Sequence, residues 1–525
     1  MKNKTKIFGL ALTMMLLSSC SNELDTKPLI EQTLENLLQQ DPNAVKGLLS
    51  KMYATFALTG SSGPDSSDIT APNAGETGFL RGIINLEDFT ADDMKNRWGD
   101  DGLDQLTTTS GWTNQNKFFR YLFDRVYYTV PQSTNIIIAL NNTSVPDKAL
   151  YISELRFIRA LAYYYMIDCF GKGVLVTTEN YGTTNPLPEA SRVQLFNYVE
   201  SELLAIENDL PLTNEYGRAN KSVARMLLAK LYLNAEVYTG TARYNDALIY
   251  ANKVITVGNY SLAPNFTQNF SADNNTSPEI IFPLIADALT SQSYGNTTYL
   301  VNGSLSDKLA NGTTPDMSLS TYGATAGWVG HRATKAWYGL FGNSASDLAA
   351  STDVRAQLFW TPGHNYEMND YKIWDDGYPS TKFRNSNADG SGLATNFSST
   401  DFPLFRLADV YLIYAECALR GATGGSTSQA LSYVNAVRTR SGATSITSGD
   451  LTLDFILNER GRELNFEGHR RTDLIRFGKF TGGTYLWPWK GNTANGTAIP
   501  DTYKVFPIPS AALDANPNIT QNPGY

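Results

Sequence analysis

Two widely separated stretches of the chain repeat one helical pattern, and that repeat limits the fold more than any other feature. Leu228-Ala229-Lys230-Leu231-Tyr232-Leu233, then Ala235-Glu236, is echoed by Leu407-Ala408-Asp409-Val410-Tyr411-Leu412, then Ala415-Glu416. Each copy leads to a second helix opening on Ala-Leu: Ala247 to Val254 in the first, Ala430 to Val437 in the second. Small alanines let antiparallel helices approach, while Tyr and Leu fill the groove between them. The pattern is that of tetratricopeptide-type helical pairs. Such pairs bury their remaining apolar faces by stacking, which predicts a curved α-α superhelical scaffold.

Further helices are predicted from 3.6-residue periodicity over Ala44–Leu58, Lys148–Phe170 and Arg192–Leu210, the last stopped by Pro211. Between them, Thr59–Gly75 and Thr107–Asn116 are rich in Gly, Ser, Thr and Asn. Long loops of this kind are more often functional than ordinary connections. Residues 261–401 are rich in the same small polar types, hold Trp328, Trp337, Trp360 and Trp374, and show few helical periods. The order helices, loops, helices predicts one mainly α folded unit with a large loop-rich insertion at 261–401.

The N-terminus reads as an export signal. Lys2, Lys4 and Lys6 precede the apolar run Ile7–Leu17, and Leu17-Ser18-Ser19-Cys20 follows. A basic start, a short apolar stretch and small residues mark a secretory signal over 1–19. The stretch is shorter than the roughly 20 apolar residues of a membrane span. A cysteine straight after the small residues is the bacterial lipoprotein pattern, which makes Cys20 the lipidation site and residues 20–40 a lipidated polar leash. The folded body then occupies 41–525. Cys169 and Cys417 sit in helical patterns and read as separate core residues, not a disulfide.

Charge and composition narrow the ligand. The net charge is −9, with no long basic run, so nucleic acid is not an expected partner. Three histidines against 29 Tyr, 24 Phe and 8 Trp point to stacking surfaces rather than metal or proton chemistry. His331, His364 and His469 are isolated and show no zinc-ligand spacing. The acid pairs Asp92-Asp93 and Asp100-Asp101 read as solvated neighbours rather than the carboxylate pair of a glycosidase. No nucleophile elbow or phosphate loop is present, and the chain reads as non-catalytic with no cofactor. Asp273-Asn274-Asn275 is the one turn where calcium could be held, and an ordinary Asx-rich loop explains it equally simply.

The C-terminal half carries a long signature. Pro403 to Leu412 is followed by Glu459-Arg460-Gly461-Arg462-Glu463-Leu464, then Glu467-Gly468-His469-Arg470-Arg471-Thr472-Asp473-Leu474-Ile475-Arg476, and the chain closes on Asn522-Pro523-Gly524-Tyr525. With Cys20, these residues resemble the SusD/RagB family of outer-membrane lipoproteins. The alternating acids and arginines read as an ion-pair network, with Glu459, Glu463 and Asp473 matched by Arg460, Arg470 and Arg476. The resemblance implies a surface-exposed, lipid-anchored protein that sits as a lid on a SusC-type TonB-dependent transporter and captures a neutral oligosaccharide.

The resemblance to the family's starch-binding prototype carries residues over one by one. Gly75-Glu76-Thr77-Gly78-Phe79-Leu80-Arg81 resembles the loop bearing a sugar-contacting arginine, placing that role on Arg81. Trp98, Tyr294 and Trp328 fall on the three stacking rings. Asp101 stands where the prototype has a sugar-contacting Asn, and Asn96 where it has a further Trp. Starch or maltooligosaccharide is the implied cargo. The two departures leave open another α-glucan such as dextran, and a structural lipoprotein of the transporter complex is the alternative from another class. Trp487 and Trp489 are expected to pack on the C-terminal scaffold.

Overall fold

The computed structural model describes residues 33–307 and 317–525. Cys20, the expected export signal over 1–19 and residues 20–32 of the expected leash lie outside the described residues. The leash expected through residue 40 gives way earlier, because Leu38 is buried and anchors a helix. Thr33 caps this α1 (Leu34–Gln40), its hydroxyl accepting from the Asn36 N–H at 3.3 Å.

Helices dominate the first half. α2 (Pro42–Ala57) starts at Asp41, whose carboxylate accepts from the Asn43 N–H, and buries Met52 and Phe56. α3 (Phe79–Glu87) is buried throughout. α4 (Lys117–Asn141) packs on α5 (Lys148–Tyr165), which runs on into a π turn over Met166–Phe170 and ends at Gly171, φ +71°. A left-handed residue suits glycine at a helix end. α6 (Arg192–Ile206) opens with a reciprocal cap between Ser191 and Gln194.

The repeat read from the sequence is present as two helical hairpins. α7 (Lys221–Leu233) packs on α8 (Tyr244–Val257). After the insertion, which carries α9 (Thr297–Ser304), α10 (Leu407–Leu419) packs on α11 (Thr427–Arg440). The crossing alanines Ala229, Ala247, Ala408 and Ala430 are fully buried. In each hairpin a tyrosine of the first helix meets one of the second: Tyr232 with Tyr250 at 5.6 Å and Tyr411 with Tyr433 at 4.3 Å. α8 also packs on α10, so the hairpins stack on each other. The fold is mainly α, with α12 (Leu453–Leu464) and α13 (Arg470–Arg476) closing the scaffold.

Short strands tie the loops down. β1 (Met94–Asn96), β2 (Lys172–Val174), β3 (Glu189–Ser191), β4 (Ile280–Leu284), β5 (His331–Ala333) and β6 (Phe402–Arg406) pair antiparallel as β1–β5, β2–β3 and β4–β6. In the first ribbon Asn96 lies opposite His331.

The acid–arginine signature is a buried network, but its pairing is wider than the sequence expectation. Asp473 pairs within the set, with Arg460 and Arg476 at 2.7 Å each. Glu463 instead reaches Arg355 (2.8 Å), Arg406 (2.6 Å) and Arg440, and Glu459 reaches Arg355, Arg438 and Arg462. Arg470 pairs with Asp92 at 2.6 Å. Asp92 and Asp93 are therefore not solvated: both are fully buried. The network crosses elements distant in sequence, which local spacing could not show. Asp409 joins the two hairpins, meeting Lys230 of α7 at 3.2 Å and Arg460 of α12 at 2.7 Å. Cys169 and Cys417 are buried and free, as expected.

Candidate functional site: a loop-built aromatic cleft

Four residues singled out from the sequence, Arg81, Trp98, Tyr294 and Trp328, line one open cleft of about 550 Å³. Asp65, Asn73 and Asp100 complete its wall. The three rings are half-buried and contiguous. Trp98 and Trp328 lie 6.4 Å apart between centroids and tilted by 55°, and Trp328 and Tyr294 lie 6.1 Å apart at 48°. Successive tilts of this size cannot form one flat platform.

The β1–β5 ribbon brings Trp98 to Trp328. Arg97 N donates to the Gly330 carbonyl at 3.2 Å, and the Trp98 indole N–H donates to the Trp328 carbonyl at 2.8 Å. The Trp328 loop is held from the other side by α9, with Trp328 N donating to Asn302 O at 2.7 Å. Between these anchors Val329 adopts φ +54°, a strained conformation for a β-branched residue. A Cβ on Gly330 would lie 2.4 Å from the Trp98 ring, so only glycine lets the ring settle there.

Close backbone contact also seats Tyr294. A Cβ on Gly75 would meet the Tyr294 Cβ at 2.7 Å, and one on Gly78 would meet the Gly295 carbonyl at 2.6 Å. The Gly295 carbonyl accepts from the Arg81 N–H at 3.1 Å, coupling the Tyr294 loop to α3. Phe397 supports the Tyr294 ring at 4.9 Å. The Arg81 guanidinium lies over Tyr299 at 4.4 Å and 6.0 Å from the Trp98 ring, with Glu76 at 4.0 Å. Glu76 is shared with Lys117 at 2.9 Å.

The two departures lie in different surroundings. Asp101 is exposed and is not among the lining residues; its neighbour Asp100 is, in a loop flanked by the left-handed Gly99 and Gly102. Asn96 adds no contact surface, since it is fully buried. Its amide oxygen accepts from the Trp98 N–H at 2.8 Å and its amide nitrogen lies 2.9 Å from His331 Nδ1. Asp65, Asn73 and Phe397 were missed. Their only signal was membership of Gly/Ser/Asn-rich stretches, which does not single out a side chain.

Other sequence candidates lie elsewhere. Trp337 and Trp487 are core residues, and Trp489 packs on Tyr371 at 4.9 Å. Asp273 accepts from the Ala388 N–H, and buried Asn274 donates to the Asn269 and Asp401 carbonyls, so that turn spends these two side chains on the fold. Among the described residues, Glu87, Asp168 and Cys169 are close enough together to share an ion. Both carboxylates are instead paired with Arg471, at 3.1 and 3.0 Å. No described helix is long and apolar enough to cross a membrane.

A helical-repeat scaffold thus presents an aromatic cleft on loops. The family model described as the SusD family matches residues 232–525. The starch-binding protein SusD of Bacteroides thetaiotaomicron is 32% identical over a 570-residue alignment, covering 99% of this chain and 98% of that protein. A SusD-like protein of Bacteroides ovatus is 27% identical, over 67% of this chain and 65% of its own. Among solved structures, surface glycan-binding protein A of B. thetaiotaomicron in complex with laminarihexaose superposes with a TM-score of 0.68 at 21% identity, covering 91% of this chain and 99% of that one. A laminarin-binding SusD-like protein gives 0.67 at 19%, covering 92% and 99%. The chain belongs to the SusD family of glycan-binding proteins.

Proposed function

We propose that this protein captures starch or maltooligosaccharide at the cell surface and hands it, without cleaving it, to a SusC-type TonB-dependent transporter. Lipid attachment through Cys20 to the outer membrane is part of this reading. The observation that carries it is the convergence of Trp98, Trp328 and Tyr294, with Arg81 beside them, from separate loops into one cleft. The starch-binding relative at 32% identity supports the choice of glycan.

The chemistry is coherent. Pyranose C–H faces stack on aromatic rings, while rim hydroxyls seek donors and acceptors. Rings turned by 55° and 48° match the curved apolar side of an α-1,4-glucan better than a flat ribbon. Arg81 offers donors and Asp100 offers an acceptor. Three rings at about 0.5–1.5 kcal/mol each leave weak affinity after association costs. A Kd between millimolar and high micromolar corresponds to about −4 to −6 kcal/mol. A lid that must release its cargo works in this range, and a polymer adds avidity.

Native affinity gels containing amylopectin, pullulan, dextran, levan or laminarin test the proposal. Retardation by amylopectin and pullulan is expected. Preferential retardation by dextran would replace starch with another α-glucan, and retention by none would leave only the structural role. Co-purification of the membrane-extracted protein with a TonB-dependent barrel tests the transporter.

A further inference from the structure

Directly behind the Trp98 ring lies a fully buried imidazole, His331. Its ring centroid is 5.1 Å from Trp98, 4.6 Å from Tyr299 and 5.0 Å from Phe89. Gly303 makes room for it: a Cβ there would stand 2.1 Å from His331 Nε2. His331 Nε2 lies 3.0 Å from the Tyr299 carbonyl, and Nδ1 lies 2.9 Å from the Asn96 amide nitrogen.

These contacts fix every proton. A carbonyl only accepts, so Nε2 carries the hydrogen and Nδ1 is the acceptor. The Asn96 amide nitrogen must then face His331, which turns its oxygen to the Trp98 N–H at 2.8 Å. A chain of one polarity runs from the α9 backbone through His331 and Asn96 to the Trp98 backbone. The indole N–H of the same residue is held by the Trp328 carbonyl. Trp98 is therefore held at its backbone by Asn96 and at its ring by the Trp328 carbonyl.

We infer that His331 and Asn96 form a positioning pair that sets the angle of Trp98 in the cleft, and so the glycan affinity of the folded protein, without touching the ligand. This rests on the glycan-binding reading of the cleft. Buried polar groups that orient a contacting side chain act as the outer shell of a site. Burial holds the imidazole neutral, pushing it down to about 3, and the Arg81 and Arg332 charges act in the same direction. The acceptor at Nδ1 thus persists at ordinary pH.

The test uses the full chain, maltoheptaose as the probe, and near-ultraviolet circular dichroism of the free protein to report Trp98. His331→Phe keeps a ring but removes both hydrogen bonds, His331→Gln restores a donor and an acceptor, and Asn96→Ala cuts the chain at its other link. Each of the two breaking variants should weaken maltoheptaose about tenfold, the scale of one buried group left unpaired. They should also change the tryptophan dichroism, and His331→Gln should recover most of both signals. Leu412→Ala, in α10 and away from the cleft, should lower stability and leave affinity alone. If His331→Phe does not fold, Asn96→Ala carries the comparison. Wild-type affinity in folded breaking variants, no recovery in His331→Gln, or an equal loss in Leu412→Ala would each overturn the assignment. Should the wild type itself ignore maltoheptaose, the starch reading fails, while the dichroism still decides whether the pair orients Trp98.

Discussion

The Trp98 indole N–H donates to the Trp328 carbonyl at 2.8 Å, so one wall of the cleft is bonded to the other before any ligand arrives. The bond goes to a backbone atom, which survives replacement of the Trp328 side chain. The two rings can therefore be removed separately.

Trp328→Ala should weaken maltooligosaccharide binding about two- to tenfold, the loss of one stacking ring at about 0.5–1.5 kcal/mol. Trp98→Ala with Trp328→Ala should abolish retardation in amylopectin gels while cooperative unfolding is kept. Unchanged migration of the folded double variant would show that the site has been misplaced.

Gly330→Ala should abolish binding by a different route. The new methyl group would sit 2.4 Å from the Trp98 ring and displace it. Gly421→Ala, at a scaffold turn with open space around it, is a control that strains only backbone. Amylopectin retardation measured side by side separates them: lost in the first, kept in the second.

Asp100 and Asp101 make a sharper pair. Asp100→Asn should alter affinity or the ranking of glucans, because this carboxylate lines the cleft. Asp101→Asn should leave both unchanged, its side chain being exposed outside it. Calorimetric titration with maltoheptaose and isomaltoheptaose reads both, and the opposite pattern would return the role to Asp101.

Glu463→Ala should cost about 3–5 kcal/mol in urea unfolding, the scale for stranding a buried charge. Arg355, Arg406 and Arg440 all converge on this carboxylate. Protein that remains folded should still bind glycan, since the network is scaffold. A loss below 1 kcal/mol would mean that the three arginines find other partners.

Stability should fall on both sides of a mildly acidic optimum. Burial opposes ionisation of Asp409, but Lys230 and Arg460 outweigh it and hold the carboxyl well below its usual range. That contribution is present above pH ~4 and is lost as pH falls. Glu87 is pushed up to about 8 by burial and by Asp168, and Asp93 up to about 7 by burial and by Asp92. Their contribution is full below pH ~4, declines as the unfolded chain ionises first, and is gone above 7 to 8. Urea midpoints across pH 3–9 should show both limbs, and Asp93→Asn should flatten the alkaline one. A profile identical to wild type in that variant would remove Asp93 from the account.

The helical hairpins were legible because burial at a helix crossing leaves a periodic trace: small at Ala229 and Ala408, tyrosine at Tyr232 and Tyr411. The cleft was legible only where whole motifs could be matched. Trp98, Tyr294 and Trp328 stood out among small polar neighbours, and the structure brings all three together. What failed was local. Asp100 and Asp101 are neighbours in one loop, and sequence alone does not say which of them lines the cleft. Asn96 read only as the place of a missing Trp; its role as a buried hydrogen-bonding residue was hidden because its partner His331 is 235 positions away. Asp92 and Asp93 looked hydrated for the same reason, with Arg470 lying beyond the reach of any local pattern.

Only three residue pairs join β1 to β5, yet they close a loop of more than two hundred residues. Closing so long a loop costs entropy that local contacts cannot offset early in folding. Loop closure over that span predicts that the ribbon forms after the local helical contacts, so the cleft tryptophan signal should lag helical dichroism on refolding. On the proposed reading, glycan binding would be the last property to return, and a fragment holding every ring but lacking the scaffold would have no place to put a sugar.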